Sequence, residues 1–319
     1  MKAFVDQIFN EDALAGLQRI PDASVDLILT DPPYGLGKDY GNESDKQAAK
    51  EYLAWTERWI AAALPKLKPT GSLYIFLTWR YSPEIFVMLK QRMSMINEII
   101  WDRKVPSMGG SVRSFTSVHD TVGLFVLNKN YYFDLDSVRI PYDEATKKAR
   151  SRSIFVGAKW LELGYNPKDV WSVSRLHKEN PERKEHPTQK PLEIIERMIR
   201  ASCPEKGLVL DLFMGSGTTA VAAKRCGRHF VGFELNPDYC TIIQERLNSD
   251  EAMLQALSNQ PTQPIRKKIS KAVLDLPKKK TRPTGKSKAE IHAESQASSQ
   301  ASSQAASHAP SLAAPQAEF

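Results

Sequence analysis

The sequence predicts a doubly wound α/β fold, and three observations carry that prediction. Short apolar strands alternate with amphipathic helices from Phe4 to Trp101 and again from Ile194 to Leu247. One strand, Val25 to Thr30, stops on Asp31-Pro32-Pro33-Tyr34. Another, Leu208 to Phe213, enters a glycine turn that opens a helix. The chain has 319 residues, 41% hydrophobic and 25% charged, enough for one large α/β domain or two ordinary ones. Its 3 cysteines, Cys203, Cys226 and Cys240, show no paired spacing, which argues against a disulfide framework or a metal site and for reduced thiols. No apolar run reaches the roughly 20 residues that span a bilayer, and Met1 to Gln7 does not read as a signal peptide, so a cytoplasmic protein with no membrane partner is expected. The net charge of +7 favours an acidic partner such as nucleic acid.

Taken in order, Phe4 to Phe9 reads as a strand, and Asn10-Glu11-Asp12 can cap a helix running through Leu14 and Leu17 to Ile20. Pro32 and Pro33 lack an N–H and fix φ, so the tetrapeptide is a stiff, extended end to the second strand. Alone, Pro-Pro does no more than end a strand; Asp31 before it and Tyr34 after it suggest a site. Gly35 to Asn42 is a polar, glycine-bearing loop suited to a lid. Tyr52, Trp55, Trp59, Ile60 and Ala63 mark a helix over Glu51 to Leu64 whose tryptophans belong to the core. Leu73 to Leu77, Ile96 to Trp101 and Thr121 to Leu127 are strands, and Pro83 to Leu89 is a helix with Pro in its first turn.

From Arg103 to Glu185 the periodicity is lost. Arg103, Lys104, Met108, Gly109, Gly110, Arg113 and Phe115 form a basic loop, and Lys159, Trp160, Trp171 and Arg175 continue the mixture of cations with aromatics. That mixture suits phosphate and base contacts, and equally a solvated surface. Regularity resumes at His186-Pro187-Thr188-Gln189-Lys190-Pro191, with Pro191 in the first turn of a helix that buries Ile194, Ile195, Met198 and Ile199. His229 to Phe233 is a strand ending at Glu234, and Pro237 to Leu247 a helix with Ile242 on its buried side. The domain boundary falls at 248. Residues 249–319, basic and then rich in Ser, Gln and Ala, read as a disordered tail able to attract nucleic acid loosely.

Gly215-x-Gly217-x-x-Ala220 after a strand, with Glu234 at the tip of the next, satisfies the dinucleotide fingerprint. The turn alone does not choose between a nicotinamide cofactor and S-adenosyl-L-methionine. A phosphate-cradling P-loop is excluded, because no Gly-Lys-Ser/Thr follows.

The combination of Asp31-Pro32-Pro33-Tyr34, His186-Pro187-Thr188-Gln189-Lys190-Pro191 and Asp211-Leu212-Phe213-Met214-Gly215-Ser216-Gly217, in that order, resembles the β group of DNA amino-methyltransferases. This group includes adenine methyltransferases of restriction systems and of the cell-cycle type. The likeness covers Phe4 to about Leu247, and His119-Asp120 stands where many relatives carry His-Glu. It implies a mostly parallel seven-stranded sheet with one antiparallel strand near an edge. It implies S-adenosyl-L-methionine on Asp211 and on Phe213 to Thr218, its ribose on Glu234, its adenine amine on Asp12, and its methionine carboxylate near His186 and Thr188 to Lys190.

By the same resemblance, Asp31 and the Pro32 carbonyl hold an exocyclic amine of a flipped base in double-stranded DNA, and Tyr34 stacks on its ring. Asp rather than Ser at the head of the tetrapeptide favours adenine N6; cytosine N4 is the alternative, and a catalytically silent DNA-binding module is a further one. Residues 103–185 would read sequence, with Arg103, Lys104, Arg113, His119, Lys159 and Arg175 as DNA contacts. The resemblance also allows a cognate restriction endonuclease, a homodimer and association with the bacterial nucleoid.

Overall fold

The computed structural model describes residues 4–35, 48–104, 113–151 and 158–258. Its strands are β1 (Gln7–Phe9), β2 (Val25–Thr30), β3 (Leu67–Leu77), β4 (Ser94–Asp102), β5 (His119–Val126), β6 (Val170–Ser172), β7 (Leu208–Asp211) and β8 (His229–Phe233). They form one sheet in the order β1-β8-β7-β2-β3-β5-β4-β6. Only β5 runs antiparallel to its neighbours, β3 and β4. The sheet thus has eight strands among the described residues, not seven. The extra strand, β6, pairs with β4 at the edge, and its three residues are too few to show a period of two in sequence.

All six residues of β2 are buried, as a strand covered on both faces requires. Against one face pack α1 (Ala13–Gly16) with the 3-10 turn that follows it, α2 (Ala49–Ala63) and α3 (Ser82–Lys90), placing Leu17, Trp59, Ile60, Ile85 and Phe86 in one cluster with Ile28, Ile75 and Leu210. Against the other pack α6 (Leu192–Ser202), α7 (Thr218–Arg225) and α8 (Pro237–Ser258), with Ile194, Met198, Ala222 and Ile243 facing Leu29, Phe76 and Val209. Two short helices, α4 (Glu144–Arg150) and α5 (Ala158–Leu163), lie in the stretch without periodicity.

Several boundaries differ from expectation for identifiable reasons. Phe4 to Asp6 is a turn before β1, and the first helix tightens to a 3-10 turn over Leu17–Arg19. Pro191 is the N-cap of α6 with extended ψ, one residue before the position expected. β7 ends at Asp211, because Leu212 and Phe213 already belong to the turn. α8 runs to Ser258, past the compositional boundary at 248, and it buries Ile243 while Ile242 is only half-buried. The proposed lid from 36, residues 108–110 and the tail from 259 lie outside the described residues.

Asp26 is the polar pin of the central strands. It lies at a register shift in β2 between Val25 and Leu27, which puts Val25 and Ile28 on one face and Leu27 and Leu29 on the other. Its buried carboxylate accepts the Leu208 N–H at 2.9 Å, joining β2 to the first residue of β7, and pairs with Lys68 at 2.8 Å. Asp26→Ala leaves that N–H without its acceptor and is expected to cost about 2 kcal/mol in a urea titration. Asp22→Ala, which removes an exposed pair with Lys66, is expected to leave the midpoint unchanged.

Candidate functional site

The carboxyl ends of β2 and β7 lie side by side, with Leu27 opposite Val209 and Ile28 opposite Leu210. From β2 the sheet continues through β3 in one direction, and from β7 through β8 in the other, so a crevice opens at the switch point between them. A cavity of about 560 Å³ occupies it. Asp31, Pro33, Asp211, Phe213, Met214, Gly215, Ser216 and Thr218 line it from the two strand ends. Asp12 and Glu234 line it from the tips of β1 and β8, and His186, Thr188, Gln189 and Lys190 from the segment before α6.

The glycine turn is shaped by close packing on both sides. Gly215 has φ +51°, and a Cβ there would meet His186 Nε2 at 2.8 Å. Gly217 has φ +77°, caps α7 and faces away from the cavity, where a Cβ would meet Ile243 at 2.5 Å. Arg246 of α8 supports the turn from behind, donating to the Ser216 carbonyl at 2.6 Å and to Thr218 Oγ1 at 3.2 Å. Burial pulls the Arg246 guanidinium below its ordinary pKa. Sequence reading missed Arg246; the available signal was a charged residue three places after Ile243 on the buried helix face.

The acids along this cavity are also structural acceptors. Asp12 caps α1, accepting from Leu14 N at 2.9 Å and Ala15 N at 3.3 Å. Glu234 accepts from Gly215 N at 2.7 Å and Asn236 N at 2.9 Å, tying the end of β8 to the glycine turn, and burial raises its pKa. Trp55, assigned to the core by its spacing, lines the cavity and packs on Phe213 with ring centroids 5.4 Å apart.

A second cavity, of about 630 Å³, lies beyond the tetrapeptide and is lined by Tyr34, Trp79, Arg80, Trp101, Arg103, His119, Asp120, Arg175 and Arg183 among others. Three of the expected nucleic-acid contacts, Arg103, His119 and Arg175, come together here. Arg103 pairs with buried Asp120 at 3.5 Å and donates to the Ser117 carbonyl at 3.1 Å. Lys104 and Arg113 are exposed and do not line it, and the Lys159 side chain lies outside the described residues.

The two cavities share a wall. Tyr34 donates its hydroxyl to Asp31 Oδ1 at 2.6 Å, and Lys190 Nζ donates to Asp31 Oδ2 and lies 3.2 Å from the Tyr34 hydroxyl. Thr188, Gln189 and Lys190 line both sides. Lys190 thus places its ammonium on Asp31, where sequence reading set it beside a cofactor carboxylate. The Gln189 amide is engaged within its own segment, accepting from Lys184 N at 2.8 Å and donating to the Glu182 carbonyl at 2.7 Å. Glu182 in turn accepts the Leu192 N–H at the start of α6.

A family model described as DNA methylase matches residues 25–245. The chain is 37% identical over 241 residues to the type II methyltransferase M.HpaI of Haemophilus parainfluenzae, covering 75% of this chain and 73% of that one. It is 37% identical over 261 residues to the type II methyltransferase M1.MboII of Moraxella bovis, covering 77% and 98%. It is 31% identical over 246 residues to the DNA adenine methyltransferase YhdJ of Escherichia coli strain K12, covering 76% and 82%. Among solved structures, the M1.HpyAVI–SAM complex aligns with a TM-score of 0.52 at 26% identity, covering 76% of this chain and 99% of that one. The cytosine-N4-specific PvuII DNA methyltransferase aligns at 0.58 with 20% identity, covering 80% and 93%, a likeness of fold alone.

Asp211 is the acid whose ionisation is most perturbed in this crevice. It accepts from Thr219 Oγ1 at 2.6 Å and from Phe213 N at 3.1 Å. Burial, with a further contribution from the charge of Asp31, pushes its carboxyl up to about 7. The folded protein therefore holds this proton more tightly than the unfolded chain does. The associated stability is fully present below the ordinary carboxylate range near pH 4 and is lost as pH rises to about 7. Asp211→Asn is expected to remove that decline: between pH 5 and pH 8 its stability by chemical denaturation should fall by about 2 kcal/mol less than that of the parent.

Proposed function

We propose that this chain, which belongs to the DNA methylase family, methylates adenine N6 at a specific site in duplex DNA with S-adenosyl-L-methionine as the methyl donor. The observation that carries the reading is the shared wall. The Asp31–Tyr34 pair stands between a cavity lined by acids and a cavity lined by cations and aromatics.

The first cavity suits the donor in size and chemistry. Its volume falls in the range of cofactor sites. Five acidic side chains, Glu11, Asp12, Asp31, Asp211 and Glu234, line it against one ammonium, an acceptor set for a ligand carrying a sulfonium and an α-ammonium. The absence of a side chain at Gly215 lets His186 close against the turn, so the two together form one side of the cavity. In this reading Glu234 holds the ribose hydroxyls, Asp12 the adenine amine, Asp211 with Phe213 to Ser216 and Thr218 the methionine end, and Thr188 its carboxylate, while Gly217 shapes the turn from its far side. When bound, the donor supplies an electrophilic methyl on positively charged sulfur.

The chain's own residues prepare the nucleophile. Adenine N6 is weakly nucleophilic because its lone pair is delocalised into the ring. The Asp31 carboxylate and the Pro32 carbonyl accept its two N–H groups, which favours a pyramidal nitrogen with its lone pair free for in-line attack. The amine proton becomes acidic only as the N–C bond forms, and Asp31 takes it at that stage. Lys190 and the Tyr34 hydroxyl hold the carboxylate in place by binding one oxygen each. The target base must leave the duplex to reach this wall, at a cost of about a few kcal/mol, and cationic residues of the second cavity hold the flanking phosphates.

Adenine is favoured over cytosine N4 by Asp at position 31, and the relative YhdJ is a DNA adenine methyltransferase. Purified protein should transfer tritiated methyl to duplex DNA, and digestion should release N6-methyladenine. N4-methylcytosine instead would overturn the base assignment, and no transfer to DNA of any sequence would overturn the enzyme. Asp31→Ala is expected to lower kcat by at least about 10³-fold while calorimetry still detects S-adenosyl-L-methionine binding.

A further inference from the structure

The donor carries an α-carboxylate as well as its two cationic groups, and five acidic side chains in the first cavity are an unfavourable setting for an anion. Lys190, the one lysine or arginine of that lining among the described residues, is already spent. An ammonium has three protons to donate, and this one donates to Asp31 Oδ2, to the Tyr34 hydroxyl at 3.2 Å and to the Thr188 carbonyl at 3.4 Å. The carboxylate therefore needs donors from other residues of the lining.

Arg246 prepares two of them from outside the cavity. It lies on α8 behind the glycine turn, 5% exposed, and one of its nitrogens donates to the Ser216 carbonyl at 2.6 Å, to Thr218 Oγ1 at 3.2 Å and to Ser216 Oγ at 3.3 Å. A guanidinium has no acceptor, so both hydroxyl oxygens accept from it and keep their own protons to donate. Ser216 and Thr218 line the cavity and are otherwise buried, which leaves a bound ligand as the partner for those protons. The peptide between Ser216 and Gly217 is held at both ends, its carbonyl by Arg246 and its N–H by the Met214 carbonyl at 2.8 Å, so the two hydroxyls sit on a fixed backbone. The guanidinium stays charged, and its field across the turn favours an anion on the far side.

We propose that Arg246 is a positioning residue for the α-carboxylate of the methyl donor: it commits Ser216 Oγ and Thr218 Oγ1 as acceptors, so that both present their protons to that carboxylate beside Thr188. The inference rests on the methyltransferase reading and adds to it a residue that touches neither substrate. Arg246 acts through the two hydroxyls, so its effect is confined to ligands that bear the carboxylate.

The test uses the full chain and calorimetry with S-adenosyl-L-methionine and its decarboxylated form, which keeps the sulfonium and the amine and lacks only the carboxylate. Arg246→Met is expected to weaken S-adenosyl-L-methionine binding about 10- to 100-fold, the range for hydrogen bonds to a charged group, and to leave the decarboxylated form within about threefold of the parent. Thr218→Val keeps the guanidinium and its bond to the Ser216 carbonyl, so it should show the same selective loss on a smaller scale, about 3- to 10-fold. A urea titration reports the folding of each variant, and Thr218→Val carries the test should Arg246→Met not fold. Equal losses for the two ligands would make Arg246 a brace of the turn alone and overturn the inference, as would parent-like affinity for S-adenosyl-L-methionine in both variants. A parent chain that binds neither ligand would overturn the methyltransferase reading, and the inference with it.

Discussion

The contact between Lys190 and Asp31 is the constraint on which the site depends. Lys190 precedes α6 by two residues, and Asp31 follows β2 by one, so this pair joins segments 159 residues apart in the chain. Its Lys190 side chain is 7% exposed, and its carboxylate is held from a second direction by Tyr34. A buried pair is no guarantee of net stability, because both ions lose hydration, but removing one partner strands the other. Geometry is therefore its main product. The tetrapeptide is rigid because Pro32 and Pro33 fix the backbone, and Lys190 fixes the one flexible side chain that the prolines leave unconstrained.

The segment that delivers Lys190 is itself braced from within. Gln189 bonds to the backbone at Glu182 and Lys184, the Glu182 carboxylate caps α6, and His186 packs edge-on against Tyr239 of α8 with ring centroids 4.7 Å apart. These contacts explain why His186 to Lys190 has no periodicity in sequence and yet a defined position. Backbone donors that no helix or strand uses are satisfied by side chains of the same segment.

What the sequence reveals follows from how local each signal is. Asp31-Pro32-Pro33-Tyr34 is legible because proline acts through its own ring, and the Gly215 turn because positive φ demands a residue without Cβ. The central strands and α6 are legible because they are buried over several residues, giving a continuous apolar run or a clear helical face. β6 is not, since three residues gain strand geometry only from pairing with β4. Asp26 and Arg246 escape for a different reason: each is a charge on a buried face, and only the three-dimensional fold supplies Leu208 N–H to one and the Ser216 carbonyl to the other.

The charges around the wall are sorted by side. Among the described residues, five acidic side chains face the first cavity with Lys190 as its one lysine or arginine, whereas Arg80, Arg103, Arg175, Lys178, Arg183 and Lys190 face the second with Asp120 and Glu179. A cationic donor and a polyanionic acceptor are thereby drawn to opposite sides of one partition. The partition must not repel either. A lone Asp31 carboxylate would oppose the approach of phosphates, and a lone Lys190 ammonium would oppose a sulfonium; paired, they sum to zero. The same contact that fixes the position of Asp31 thus makes the wall electrically neutral at the place where the two substrates must meet.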